Sequence, residues 1–120
     1  MARFTCVIRY TVEPDRIDEL RAYAHSWIAL IRKYGGEHHG YFVPPTDEDV
    51  PEATFSFPGR GVDAPTNIAY ALFSFPSIEA YERYRVDVKS DPECAAATAR
   101  FEARPWFSRY ERSFLIPIVD

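Results

Sequence analysis

Adjacent histidines, His38 and His39, are the most chemically suggestive pair in this 120-residue chain. In an extended segment neighbouring side chains point to opposite faces, so one of the two rings enters whatever interior the segment borders. If that ring is His39, Tyr41 two positions on lies beside it. An imidazole there can act as a general base or bind a metal; the alternative is a ring hydrogen-bonded for packing or placed at a wet strand end. Arg9 and Arg112 bring cations, each needing Glu37, Glu111 or a bound anion wherever it is buried. The alternative for them is a solvated edge or a salt bridge. Tyr41 and Tyr70 have hydroxyls able to orient a ligand, or are core rings with a satisfied OH. The candidate ligand-binding set is therefore His39, Tyr41, Tyr70 and Arg112.

Other chemistries find less support. Two adjacent histidines cannot both ligate one ion from a regular strand, and no His-x-His, Cys-x-x-Cys or Glu-x-x-His spacing occurs. His25 falls on the flank of a helical stripe. Cys94 stands near a helix start, but Asp91 and Glu93 beside it oppose a thiolate. The turn Pro58-Gly59-Arg60-Gly61 lacks phosphate-loop spacing, and no Gly-x-Ser-x-Gly elbow is present. No metal and no cofactor are expected.

The elements that hold these residues follow from periodicity. Residues 3–12 alternate as a strand, with Phe4, Cys6, Ile8, Tyr10 and Val12 on one face. Pro14 opens a helix whose Ile17, Leu20, Ala24, Trp27, Ile28 and Ile31 make one apolar stripe, and Gly35-Gly36 ends it. Glu37 to Val43 is a second strand. Residues 46–66 form an acidic, proline-rich arm, with a short strand at Ala53–Phe57 and the turn at 58–61 making a hairpin that reaches toward a partner subunit. A third strand spans Asn67 to Phe75. Ser77 caps one helix, Asp91 caps another that Pro105 ends, and Tyr110 to Ile118 is the fourth strand.

Composition fits one domain: 47% hydrophobic, 27% charged and 16% aromatic residues in 120. A net charge of -4 repels phosphate backbones and anionic surfaces, so neither nucleic acid nor membrane is an expected partner. Two cysteines without paired spacing and a start lacking an export signal predict a cytoplasmic protein with free thiols.

Strand, helix, strand, arm, strand, helix pair, strand is the order of an α+β, ferredoxin-like fold: a four-stranded antiparallel sheet with helices on one face. The other face carries apolar residues in either register, and a second sheet covers it in a homodimer with an enclosed space between the two.

The run Gly35-Gly36-Glu37-His38-His39-Gly40-Tyr41-Phe42-Val43-Pro44, the stretch Asn67 to Glu82 and the tail Arg109 to Pro117 resemble the NIPSNAP family over almost the whole chain. The resemblance implies a dimeric α+β barrel and no single activity; its departure is the longer connection at 46–66. Related dimeric barrels include cofactor-independent oxygenases. The function expected is that of a homodimer binding a small apolar or aromatic molecule in the enclosed space, with oxygenase- or isomerase-like chemistry open by analogy with those barrels. The alternative is a non-catalytic dimer with a filled aromatic core, its acidic arm recruiting a partner.

Overall fold

The structure is a computed structural model that describes residues 3–45 and 50–119. Strand β1 (Phe4–Val12) buries every second residue: Cys6, Ile8, Tyr10 and Val12 lie against the helices, while Thr5, Val7, Arg9 and Thr11 face the other way. After a single 3₁₀ turn at Pro14–Arg16 comes helix α1 (Ile17–Lys33), which buries Leu20, Ala24, Leu30 and Ile31. Its end is a Schellman turn: Gly36 N–H donates to the Ile31 carbonyl at 2.8 Å and Gly35 N–H to that of Arg32 at 3.3 Å. Gly35 takes φ +93° there, and a Cβ at Gly36 would stand 2.7 Å from both Ile31 Cγ2 and Phe75 Cζ. Glycine at both positions lets the chain turn straight into strand β2 (Glu37–Phe42).

Strand β3 (Ile68–Phe75) follows the arm, then α2 (Ile78–Asp87), capped by the Ser77 hydroxyl accepting from Ala80 N–H. Helix α3 (Pro92–Ala103) starts at Asp91, whose carboxylate accepts from Glu93 N–H and also binds Lys33 and Tyr34 at the end of α1. One buried carboxylate thus ties two helix ends together. Strand β4 (Phe107–Leu115) completes a sheet of order β2-β3-β1-β4, every pair antiparallel.

The core is a continuous aromatic layer between this sheet and the helices. Tyr10 packs on Trp106 at 4.7 Å and on Phe107 at 5.1 Å, and Phe75 stacks on Tyr84 at 5.0 Å between ring centroids. Fully burying such side chains stabilises by roughly 1.5–3 kcal/mol each. With helices on one side only, the thinnest extent of the molecule is 20 Å, the depth of one sheet and one helix layer. No helix of the described residues is long and apolar enough to cross a membrane.

Two expectations are corrected. Ala53–Phe57 forms no strand, and the described part of the arm consists of turns and bends, with no partner strand to satisfy its backbone. The Pro58-Gly59-Arg60 turn is present, closed by Arg60 N–H on the Phe57 carbonyl at 3.0 Å, and Asp63 holds the Ala53 amide. Of the expected acidic arm, residues 46–49 lie outside the described residues. Strand β4 begins three residues earlier and ends three earlier than 110–118, because its partner β1 pairs from Val12↔Phe107 to Thr5↔Leu115 and Pro117 has no N–H to extend the ladder.

Candidate functional site

The site begins with an irregularity in β2. His38 pairs with Phe73 and Gly40 with Leu72, so His39 is an extra residue and the ladder bulges. Gly40 absorbs the bulge at φ +117°, a backbone region that favours glycine. Its N–H turns back and donates to His38 Nδ1 at 2.9 Å. The extra residue shifts the alternation, so His38 and Tyr41 share the helix-facing side, their rings stacked at 5.1 Å and 12°.

His38 is 7% exposed, and its Nε2 is buried with no hydrogen-bond partner. The ring borders a cavity of about 80 Å³ between sheet and helices, partly open to solvent, with Ile8, Tyr10, Trp27, Tyr41 and Arg112 among its walls. Burial, with some repulsion from His39 and Arg32, lowers the His38 pKa from 6.5 to about 4. Burial raises the hydroxyl pKa values of Tyr10, Tyr41 and Tyr84. At neutral pH the imidazole and these phenols are therefore uncharged. The Trp27 indole N–H is buried too, close to the Tyr23 hydroxyl without reaching hydrogen-bond geometry.

Arg112 reaches this space from the edge strand. Its guanidinium lies 3.5 Å from Cys6 Sγ and 3.4 Å from the Tyr81 hydroxyl, with the Tyr110 ring beneath it at 5.7 Å. Among the described residues it forms no ion pair. Arg112, exposed at the sheet edge with Arg85 also over the Tyr81 ring, a neutral imidazole and several phenols therefore line one aromatic slot.

The four residues picked from the sequence thus divide between two faces. Tyr41 and Arg112 line the cavity; His39 and Tyr70 lie on the open side of the sheet. His39 Nε2 is 2.8 Å from Ser74 Oγ, which in turn is 2.7 Å from Thr5 Oγ1. The expectation that His39 stands beside Tyr41 fails because of the bulge. Arg9 and Arg112 also lie on opposite faces of the sheet. Arg9 pairs with Glu111 at 2.8 Å on the open face, whereas Arg112 lies opposite Ile8 on the other. Cys6 and Cys94 are free thiols; burial, and for Cys94 the nearby Asp91, raises the Cys94 pKa, which weakens it as a nucleophile. His25 is exposed on α1, beside a second groove of about 250 Å³ bordered by Tyr41 of β2 and by Val43 just after it. Sequence reasoning leaves the choice between His38 and His39 open, takes His39 into the candidate set, and does not single out Tyr10 or Trp27. Gly40 inside a strand was the available signal for the bulge that selects His38.

No protein-family profile matches this chain, and no curated protein sequence matches it. Solved structures do. A NIPSNAP family protein of unknown function from Agrobacterium tumefaciens superposes with a TM-score of 0.67 at 16% identity, over 96% of this chain and 87% of its own. An uncharacterised NIPSNAP-like domain protein from Burkholderia xenovorans gives 0.66 at 20% identity, over 97% and 85%. A Caulobacter crescentus protein assigned provisionally as an antibiotic biosynthesis monooxygenase gives 0.53 at 12% identity, over 98% and 92%. The chain has the α+β fold of the NIPSNAP structures, and at these identities the likeness is one of fold.

Proposed function

We propose that this chain binds a small molecule in the cavity between its sheet and helices, with His38, Tyr41 and Arg112 as polar contacts, and acts as a homodimer. The observation that carries the reading is the buried, unpartnered Nε2 of His38 beside that cavity. Leaving such a group without a partner costs about 1–3 kcal/mol, which a ligand oxygen relieves. The site thus moves from between two sheets, where the sequence suggested it, into each protomer. Its volume of about 80 Å³ suits the head of a ligand rather than a whole polycyclic molecule. It is well below the roughly 300 Å³ at which drug-sized pockets begin. The Caulobacter neighbour's provisional assignment keeps oxygenase-like chemistry within the proposal, by fold analogy.

The dimer rests on the open face. Val7, Thr11, Ile68 and Leu72 are only half-buried there, Phe42 and Tyr70 are exposed, and no helix of the described residues covers them. A second copy laid across this face by a two-fold axis buries that apolar surface and brings His39 and Tyr70 inside. The small cavity and dense ring packing favour one alternative, a non-catalytic dimer with a filled core.

A titration of small aromatic acids, phenols and amides into isotope-labelled protein separates the two. Shifts confined to His38, Gly40, Tyr41 and Arg112 support the site. Silence at all four residues across the panel removes it.

A further inference from the structure

The polarity of the cavity says what kind of atom it receives. A backbone N–H can only donate, so its bond to His38 means that Nδ1 accepts and carries no proton. The neutral ring must then hold its proton on Nε2, the atom that is buried without a partner. His38 accordingly meets the cavity as a hydrogen-bond donor, and it cannot take a proton there as a general base. Arg112 offers donors alone, and among the described residues no acidic side chain lines the cavity. Tyrosine hydroxyls, able to play either part, complete the polar lining.

We propose that the cavity receives an anionic group of a small planar molecule, a carboxylate, enolate or phenolate, with an oxygen accepting from His38 Nε2–H and the Arg112 guanidinium in the same lining supplying the counter-charge. Planarity follows from the stacked His38 and Tyr41 rings and the flanking Tyr10. The inference rests on the cavity being a ligand site. It adds the charge and the direction of the hydrogen bonds. A neutral imidazole donor keeps its proton while polarising the oxygen, so it stabilises negative charge that is present or that develops on the ligand.

The test uses acetate and benzoate as probes, with acetamide and benzamide as their neutral counterparts. Each is titrated into the full chain and followed by the imidazole nitrogen resonances of His38 and the amide of Gly40. The free protein should show the Nε2–H tautomer. At least one carboxylate should bind about tenfold or more tightly than its amide, since charge-assisted hydrogen bonds are the stronger class. His38→Phe and Arg112→Leu should each abolish that preference. His38→Gln, which keeps an N–H near the Nε2 position, should restore part of it even if the Phe variant folds poorly. An Nδ1–H tautomer overturns the proposal, and so does equal binding of amide and carboxylate. Equal binding inside the cavity leaves the small-molecule site standing and removes only its charge. No response of cavity residues to any of the four probes removes both.

Discussion

His38 and Tyr41 lie face to face on the same side of β2, although three positions apart in a strand should place them on opposite sides. The bulge at His39, with Gly40 at φ +117°, makes the difference. The same glycine fixes the ring's tautomer through its N–H, so one backbone irregularity sets both where the imidazole points and which of its atoms is a donor.

Replacing Gly40 should therefore damage the fold and the site together. Gly40→Ala forces a side chain into strained backbone and should cost about 1–3 kcal/mol in urea unfolding. The His38–Tyr41 stack should loosen, visible in the near-ultraviolet circular dichroism. Unchanged stability together with an unchanged spectrum would show that the bulge carries no constraint.

Gly36→Ala tests a different contact. The added methyl meets Ile31 and Phe75 at 2.7 Å, closer than real Cβ atoms approach, so part of the core must move. Overpacking of this kind costs about 1–3 kcal/mol. Calorimetry should show a lower melting temperature, and a variant melting with the wild type would contradict the close packing of this helix end on β3.

Acid should destabilise the protein in two separate windows. His38 has a folded-state pKa lowered to about 4 from an ordinary 6.5, so below about pH 6.5 the unfolded chain takes up a proton that the folded chain resists. Stability should fall as pH drops from about 6.5 to 4, by as much as about 3 kcal/mol, and stay level above. Asp91 has a pKa lowered to about 2, first by its bond from Lys33 and then by that from Tyr34. Its contribution is present above about pH 3.8 and is lost as pH falls toward 2. Unfolding curves for wild type and His38→Gln, taken from pH 7 to 3, should differ in slope in the upper window and run parallel in the lower one. Parallel curves throughout would place His38 in water.

Sedimentation at micromolar concentration should report a dimer for the wild type and a monomer for Val7→Glu, which puts charge in the middle of the open face. A stable, soluble wild-type monomer contradicts the proposed interface.

Limited proteolysis should begin between residues 50 and 66, where Phe55, Phe57 and Val62 are exposed and no strand or helix forms. First cleavage elsewhere would mean that this segment is held by something it packs on.

Much of this architecture could be read in the residues. Alternation in β1, the apolar stripe of α1, the Ser77 and Asp91 caps and the Gly35-Gly36 stop are local signals, and each element stands where they put it. That adjacent histidines divide between faces also followed from strand geometry. What did not follow depended on register. Whether Arg112 shares a face with Arg9 is decided by pairing Ile8 with Arg112 and Arg9 with Glu111, between strands about a hundred residues apart, and no local periodicity records it. The choice of His38 over His39 turned on the bulge. Its sign, a glycine inside the strand, was in view, but its consequence for Tyr41 appears only once β3 supplies the partner positions.

The cavity's cation is mounted on β4, an outer rail of the sheet where Tyr110, Phe114 and Leu115 are exposed. Outer strands fray more readily than central ones. The second copy proposed on the open face should steady that rail and with it the guanidinium, and so raise affinity for an anion. By reciprocity an occupied cavity should clasp the carboxy-terminal strand and tighten the pairing, so that occupancy and assembly report on each other.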